Sequence, residues 1–178
     1  MHKHTVRATV NTGIVEGFTR DGVSSWRSIP YARPPLGRLR FRAPRPVEPW
    51  PGVRYCHGFA YCAPQERKYT LLGVGKFQPM SEDCLTLNVV ASDSPDGGPP
   101  DGPLPVMVFI HGGAYFAGSS ATPLYNGESV TSLTARSRQL LFTPRGCEGP
   151  VQPEGCCVRH VRRLLRCDRS VGRRIPLG

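Results

Sequence analysis

The sequence predicts a β-sheet fold in its first 130 residues, followed by a tail of different character. Residues 5–29 hold three short β-rich segments separated by turn residues, which is typical of an antiparallel meander. Residues 105–110 form a continuous apolar run between turn residues, as expected of a buried strand in a larger sheet. Residues 131–178 carry 10 Arg, no Lys, 3 acidic residues and 1 aromatic residue. Because the composition changes so sharply, we treat the two parts separately.

The predicted meander is defined by its turns. The first strand ends at Asn11-Thr12-Gly13, and Asp21-Gly22 is a strong signal for a two-residue hairpin. The third strand runs to residue 29. The Pro-rich segment 30–51 cannot be a regular helix or a central strand, so it predicts an extended segment that wraps the meander.

Two further strands are expected downstream. Residues 84–90 alternate weakly and suit a strand, and residues 93–105 contain five Pro and three Gly, which indicates a loop. The apolar run then leads directly into the sequence His-Gly-Gly-Ala at 111–114. No convincing amphipathic helix is predicted before residue 131.

Composition limits the classes of protein that fit. The chain has 178 residues, room for one domain, and 23 basic against 13 acidic residues give a net charge of +10. Most of that excess lies beyond residue 130, so it does not indicate specific nucleic-acid binding by the first part. With no apolar signal region and no apolar stretch near the roughly 20 residues of a membrane helix, we expect a cytoplasmic protein without a membrane partner. Seven Cys residues are then expected to be mostly reduced thiols.

Three segments carry a family resemblance. They are Ile-Pro-Tyr-Ala-Arg-Pro-Pro-Leu-Gly-Arg-Leu-Arg-Phe at 29–41, Ser-Glu-Asp-Cys-Leu-Thr-Leu-Asn-Val at 81–89 and Pro-Val-Met-Val-Phe-Ile-His-Gly-Gly-Ala at 105–114. In this order and spacing they resemble the type-B carboxylesterase (cholinesterase-like) branch of the α/β-hydrolases. The resemblance implies an α/β fold truncated to the meander and the first sheet strands. It divides the chain into an N-terminal carboxylesterase part at 1–130 and a basic, poorly ordered Arg/Cys-rich tail at 131–178.

The resemblance also implies a chemistry. The family hydrolyses small-molecule carboxylic esters through an acyl-serine intermediate, without a metal or organic cofactor. Backbone N–H groups stabilise the oxyanion of the tetrahedral intermediate. The family pattern assigns these donors to Gly113 and Ala114, with His111 and Gly112 shaping the turn.

Two structural pairs follow from the same resemblance. Cys62 and Cys84 match a family disulfide, and two free thiols are an equal alternative in a cytosolic chain. Arg40 and Glu82 match a family ion pair, which we expect to be buried and costly to break.

The catalytic triad has no counterpart in the sequence. No Gly-x-Ser-x-Gly elbow occurs, and no His occupies the family's catalytic position. Ser129 follows Gly-Glu as in the family, but Thr131 replaces the last glycine, so we interpret Ser129 as a decoy. The sequence therefore predicts a fragment that retains the oxyanion motif and is inactive alone. The alternative among ester hydrolases is a half-enzyme that a second chain completes. The sequence does not predict the oligomeric state of the protein.

The tail supports several hypotheses. Arg without Lys and the scarcity of aromatic residues favour a change of reading frame near residue 130. A zinc site is disfavoured because the spacing of its candidate ligands lacks a pair of Cys residues separated by two to four others. Those candidates are Cys147, Cys156, Cys157, His160 and Cys167. A basic amphipathic helix at 158–171 would instead make the chain a binding or interaction protein. A disordered basic tail is the simplest expectation.

Overall fold

The N-terminal part of the chain folds as the expected meander. The structure is a computed structural model that describes residues 3–92, 106–114, 116–125 and 138–142. Strands β1 (Lys3–Val10), β2 (Gly13–Arg20) and β3 (Val23–Pro30) pair in antiparallel order. Asp21 and Gly22 have φ angles of 51° and 75°. Positive φ at both central residues is the requirement of a type I′ hairpin, so the turn chemistry predicted this connection correctly.

Six further strands follow the meander: β4 (Val53–Tyr55), β5 (Leu71–Gly73), β6 (Lys76–Phe77), β7 (Thr86–Ser92), β8 (Val106–Ile110) and β9 (Arg138–Phe142). The main sheet has the strand order β1-β2-β3-β7-β9-β8. The short strand β4 pairs in parallel with β2, and β5 and β6 form a separate two-stranded sheet. In the described part of the chain the helical segments are single 3₁₀ turns, and none is long and apolar enough to cross a membrane. The 3₁₀ turns are Gly37–Leu39, Arg67–Thr70 and Pro123–Tyr125.

The hydrophobic core is formed by inward side chains of the meander strands and of β7, which continues the same sheet. Val15 and Leu87 are each 1% exposed, and Trp26 and Val89 join them in one cluster. Full burial of a large aliphatic or aromatic side chain contributes about 1.5–3 kcal/mol. Six of the seven residues of β7 are buried, so this strand is covered on both of its faces.

The Pro-rich segment wraps the meander as expected. Trp50 anchors its end, because its backbone N–H donates to the Thr12 carbonyl at 2.9 Å and its indole Nε1 donates to the Ile14 carbonyl at 3.1 Å. Within the segment, the Arg33 N–H donates to the Arg45 carbonyl. Side-chain and backbone donors thus replace the ladder that proline cannot form.

Glu16 is a buried acid on β2 that holds two neighbours. Its Oε2 accepts a hydrogen bond from Arg7 Nε at 2.8 Å, directly across the β1–β2 pair. His57 Nε2 lies 3.3 Å from Oε1 without forming a hydrogen bond to it. The Arg7 side chain is 62% exposed, so solvent screens part of this interaction.

Strand β8 differs from expectation in its exposure. We predicted a buried strand, but Met107, Val108 and Ile110 are 42%, 49% and 58% exposed. Successive side chains of a strand point to opposite faces, so both faces of β8 are open. Among the described strands β8 pairs with β9 alone, while Val106 packs against the core cluster and the Phe109 ring lies 5.1 Å from that of Tyr125.

Strand β9 was not predicted. It lies inside the segment 131–178, pairs antiparallel with β7 and parallel with β8, and separates the two. The rest of that segment lies outside the described residues, so its disorder stays a prediction.

We predict that Glu16→Gln lowers the free energy of unfolding by about 1–2 kcal/mol, because it removes the charge that Arg7 and His57 face. Urea denaturation measures the change. Glu48→Gln is the matched control, since the Arg33–Glu48 pair, 2.9 Å apart, is exposed on both sides and its loss should cost less than about 0.5 kcal/mol. Equal effects of the two substitutions would contradict this role for Glu16.

Candidate functional site

A tight turn follows β8 immediately. The strand ends at Ile110, and the Gly113 carbonyl accepts hydrogen bonds from the N–H groups of Phe116 and Ala117 at 3.1 and 3.0 Å. Gly113 and Ala114 have φ angles of 131° and 49°. The backbone therefore reverses directly at the two residues that the family resemblance assigns as oxyanion donors.

Two positions in this turn, Gly113 and Gly118, have no room for a Cβ atom. A Cβ on Gly113 would collide with the Ala117 carbonyl, and a Cβ on Gly118, whose φ is 97°, would press on the Gly112 carbonyl and the His111 ring. Gly112 itself has open space around its Cβ position. We expected Gly112 to shape the turn together with His111, but the positions that have no room for a Cβ are Gly113 and Gly118.

The two candidate donors are available in the turn. Among the described residues, neither the Gly113 N–H nor the Ala114 N–H has a hydrogen-bond acceptor. Ala114 adopts a left-handed conformation that costs an L-residue about 1–2 kcal/mol. Such strain persists only where surrounding contacts hold it, and it is concentrated at functional sites. Adjacent unused N–H groups on a constrained turn can bind developing negative charge.

His111 lies at the base of the turn. Its Nδ1 is 2.7 Å from the Gly112 carbonyl oxygen, and since a carbonyl only accepts, Nδ1 carries the proton. Desolvation by burial lowers the pKa of His111, against a smaller raising effect of the hydrogen bond to Gly112. The ring stacks on Tyr125 at a centroid distance of 6.3 Å. These contacts fit a shaping role for His111.

Three amide side chains that sequence analysis missed hold the residues after the turn. Gln65 bonds Gly118, Gln78 accepts from the Ser119 hydroxyl and donates through Nε2 to the Ala60 carbonyl at 2.6 Å, and Asn88 Nδ2 donates to the Ser120 carbonyl at 3.2 Å. Asn88 interrupts the apolar pattern of its strand, which was the one sequence signal available. The partners themselves depend on the tertiary fold.

Arg40 and Glu82 lie together, with Arg40 Nε 2.6 Å from Glu82 Oε1. The two side chains are 57% and 36% exposed, which differs from the buried pair we expected. Solvent-exposed pairs of this kind contribute about 0–1 kcal/mol. Their loss should therefore cost little.

Cys62 and Cys84 are both buried, at 0% and 2% exposure. The segment of Cys62 runs beside residues 79–81, since its N–H donates to the Pro79 carbonyl and its carbonyl accepts from the Ser81 N–H. Both are thiols in the structure, and their pairing as a disulfide stays a prediction. Cys56 is a third buried thiol, and burial raises its pKa to about 11, which makes it a poor nucleophile.

The remaining candidates do not join this site. His57 packs on the meander against Phe18 and Tyr55. Ser129, the zinc candidates and the candidate helix at 158–171 lie outside the described residues.

We predict that acid loosens the turn through His111. Because its folded pKa lies below the ordinary value of 6.5, the unfolded chain binds the proton first as pH falls. The contribution of the neutral ring is therefore complete above pH 6.5 and declines as pH drops below it towards the folded pKa. An NMR titration of the ring should give a pKa under 6.5. The non-titrating variant His111→Asn, which keeps a donor to Gly112, should lose less unfolding free energy on acidification. A ring pKa at or above 6.5 would refute this.

The chain matches known proteins over this region. The model of the carboxylesterase family matches residues 4–135. The para-nitrobenzyl esterase of Bacillus subtilis is 41% identical over 124 residues, covering 70% of this chain and 24% of that protein. The acetylcholinesterase of Bungarus fasciatus is 36% identical over 136 residues, covering 71% of this chain and 22% of that protein.

Solved structures agree with these matches. A thermophilic para-nitrobenzyl esterase superposes with a TM-score of 0.71 at 37% identity, over 78% of this chain and 28% of that chain. A carboxylesterase of Geobacillus stearothermophilus gives a TM-score of 0.65 at 29% identity, over 78% of this chain and 26% of that chain. The fold is thus that of the α/β-hydrolase esterases, as the sequence predicted. The chain spans about a quarter of the length of the curated relatives it matches. Since the family model matches well over half of its residues, this chain belongs to the carboxylesterase family.

Proposed function

We propose that this chain is the N-terminal part of a carboxylic-ester hydrolase and supplies its oxyanion hole. The observation that supports the proposal is the pair of N–H groups at Gly113 and Ala114 that no described residue accepts, in a turn with positive φ at both residues. The substrates of this class are small-molecule carboxylic esters.

The role of the turn is electrostatic. When a serine oxygen attacks the ester carbonyl carbon, the carbonyl π electrons move onto its oxygen, which becomes an alkoxide. Two N–H dipoles already aimed at that oxygen stabilise it without reorganising, and the loss of one such donor costs about 3–4 kcal/mol. Collapse of the intermediate then expels the alcohol and leaves an acyl-serine.

The nucleophile and the base must come from outside the 178 residues. The sequence contains no Gly-x-Ser-x-Gly elbow, and Ser129 lacks the final glycine that lets an elbow turn tightly. We therefore propose that these 178 residues alone do not turn over esters.

A second candidate is a half-enzyme completed by a separate polypeptide. The exposed apolar faces of β8, at Met107, Val108 and Ile110, favour it, because a second chain that carries the elbow would cover them. A copurifying polypeptide with a Gly-x-Ser-x-Gly sequence would support this candidate over a continuous chain.

We further propose that the esterase segment ends near residue 130 through a change of reading frame. The family match ends close to that point, at residue 135. The coding DNA tests the idea: another frame downstream should encode the elbow, and its absence from both alternative frames refutes the frame change.

We predict that the purified chain does not hydrolyse para-nitrophenyl acetate, and that hydrolysis appears when it is mixed with the portion of the Bacillus subtilis para-nitrobenzyl esterase that follows the matched region. In the mixture, Gly113→Ala should lower kcat by about 10²–10³, because the added Cβ displaces the donors. Gly112→Ala is the matched control and should leave kcat near wild type, since its Cβ enters open space.

Two outcomes would refute the proposal. One is turnover by the chain alone that is lost on Ser129→Ala, which would make Ser129 a true nucleophile. The other is an active mixture in which Gly113→Ala and Gly112→Ala behave alike, which would remove the turn from the reaction.

A further inference from the structure

We propose that Gln65 is a positioning residue for the oxyanion turn: its side-chain amide fixes Gly118, and Gly118 fixes the donors. The inference rests on the proposed function, because it assigns Gln65 to the same reaction. It concerns a residue 53 positions away in sequence from the one it holds.

Two hydrogen bonds join Gln65 to Gly118, and they use the donor and the acceptor of the side-chain amide together with the backbone N–H and C=O of Gly118. The Gly118 N–H donates to Gln65 Oε1 at 2.8 Å, and Gln65 Nε2 donates to the Gly118 carbonyl at 3.0 Å. A second hydrogen of Nε2 points to the Ala63 carbonyl, also at 3.0 Å. A primary amide is the neutral side chain that can donate and accept in one plane, so this backbone clamp requires an amide.

Gln65 is itself held in place. Its backbone N–H lies 3.4 Å from Met80 Sδ, and three residues earlier Cys62 is bridged to the same segment by hydrogen bonds with the Pro79 carbonyl and the Ser81 N–H. The amide therefore projects from a segment that is tied to the chain leading into β7. A fixed base is what a clamp needs if it is to fix its target.

Gly118 transmits this constraint to the donors. Its Cα lies so close to the Gly112 carbonyl and the His111 ring that a Cβ would not fit. The carbonyl of the neighbouring Ala117 likewise leaves no room for a Cβ on Gly113, and the Ala117 N–H donates to the Gly113 carbonyl. A shift of Gly118 must therefore displace Gly113 and the strained Ala114 after it.

The test is made on the isotope-labelled full chain, without a substrate. In Gln65→Leu, we expect hydrogen exchange of the Gly118 amide to accelerate about tenfold and the Gly113 and Ala114 amide resonances to shift. Gln65→Glu keeps the acceptor for the Gly118 N–H and loses the donor to its carbonyl. It should therefore give an intermediate acceleration, and it decides the matter if Gln65→Leu does not fold.

A control separates positioning from general stabilisation. Exchange in β1, β2 and β3 should stay at the wild-type rate in both variants. Unchanged Gly118 exchange, or acceleration of equal size throughout the meander, would overturn the inference.

The esterase mixture described above gives the functional readout. There, Gln65→Leu should lower kcat with little change in KM, because the donors act on the transition state. A raised KM at constant kcat would overturn the positioning role. Failure of the mixture to respond to Gly113→Ala refutes the proposed function instead, and the amide measurements on the chain alone keep the two failures distinct.

Discussion

The described fold depends on one constraint, the burial of β7 on both faces while both of its edges are paired. Its Leu87 and Val89 enter the core of the meander, and β3 and β9 satisfy its backbone groups on either side. A buried strand cannot leave N–H and C=O groups without partners, so each neighbour is required. The meander and strand β8, which leads into the turn at Gly113, are thereby joined through β7 and β9.

A buried side chain also connects the meander to the segment that follows the turn. Asn88, on the face of β7 away from the meander core, accepts from the Ser28 N–H at 3.0 Å and donates to the Ser120 carbonyl at 3.2 Å. A buried amide is costly unless both of its ends are bonded. Ser28 meets it from the irregular part of β3, with a φ of 64°. The bulge in β3 and the loop after the turn therefore satisfy the same group.

Local chemistry made part of this structure predictable. Asp21-Gly22 specifies its own hairpin, the apolar run specifies β8, and the His-Gly-Gly-Ala motif specifies the turn that follows. The amide clamps escaped prediction because Gln65 meets its partner only after the chain has folded. The short β4 (Val53–Tyr55) carries too few residues for any period to show. The sequence also could not show at which positions only glycine fits, because that depends on where the Ala117 and Gly112 carbonyls lie in the folded turn.

The contrast between the edge and the faces of β8 follows from the kind of contact each one needs. An edge needs only backbone N–H and C=O groups at the correct spacing, which almost any extended segment offers. Accordingly β9 (Arg138–Phe142) fills the place between β7 and β8 although it lies beyond the family match, which ends at residue 135. A face needs an apolar surface of matching shape, which is a property of side chains. A five-residue segment beyond the family match can therefore complete a ladder, while Met107, Val108 and Ile110 remain exposed because covering them needs an apolar surface that fits their shape.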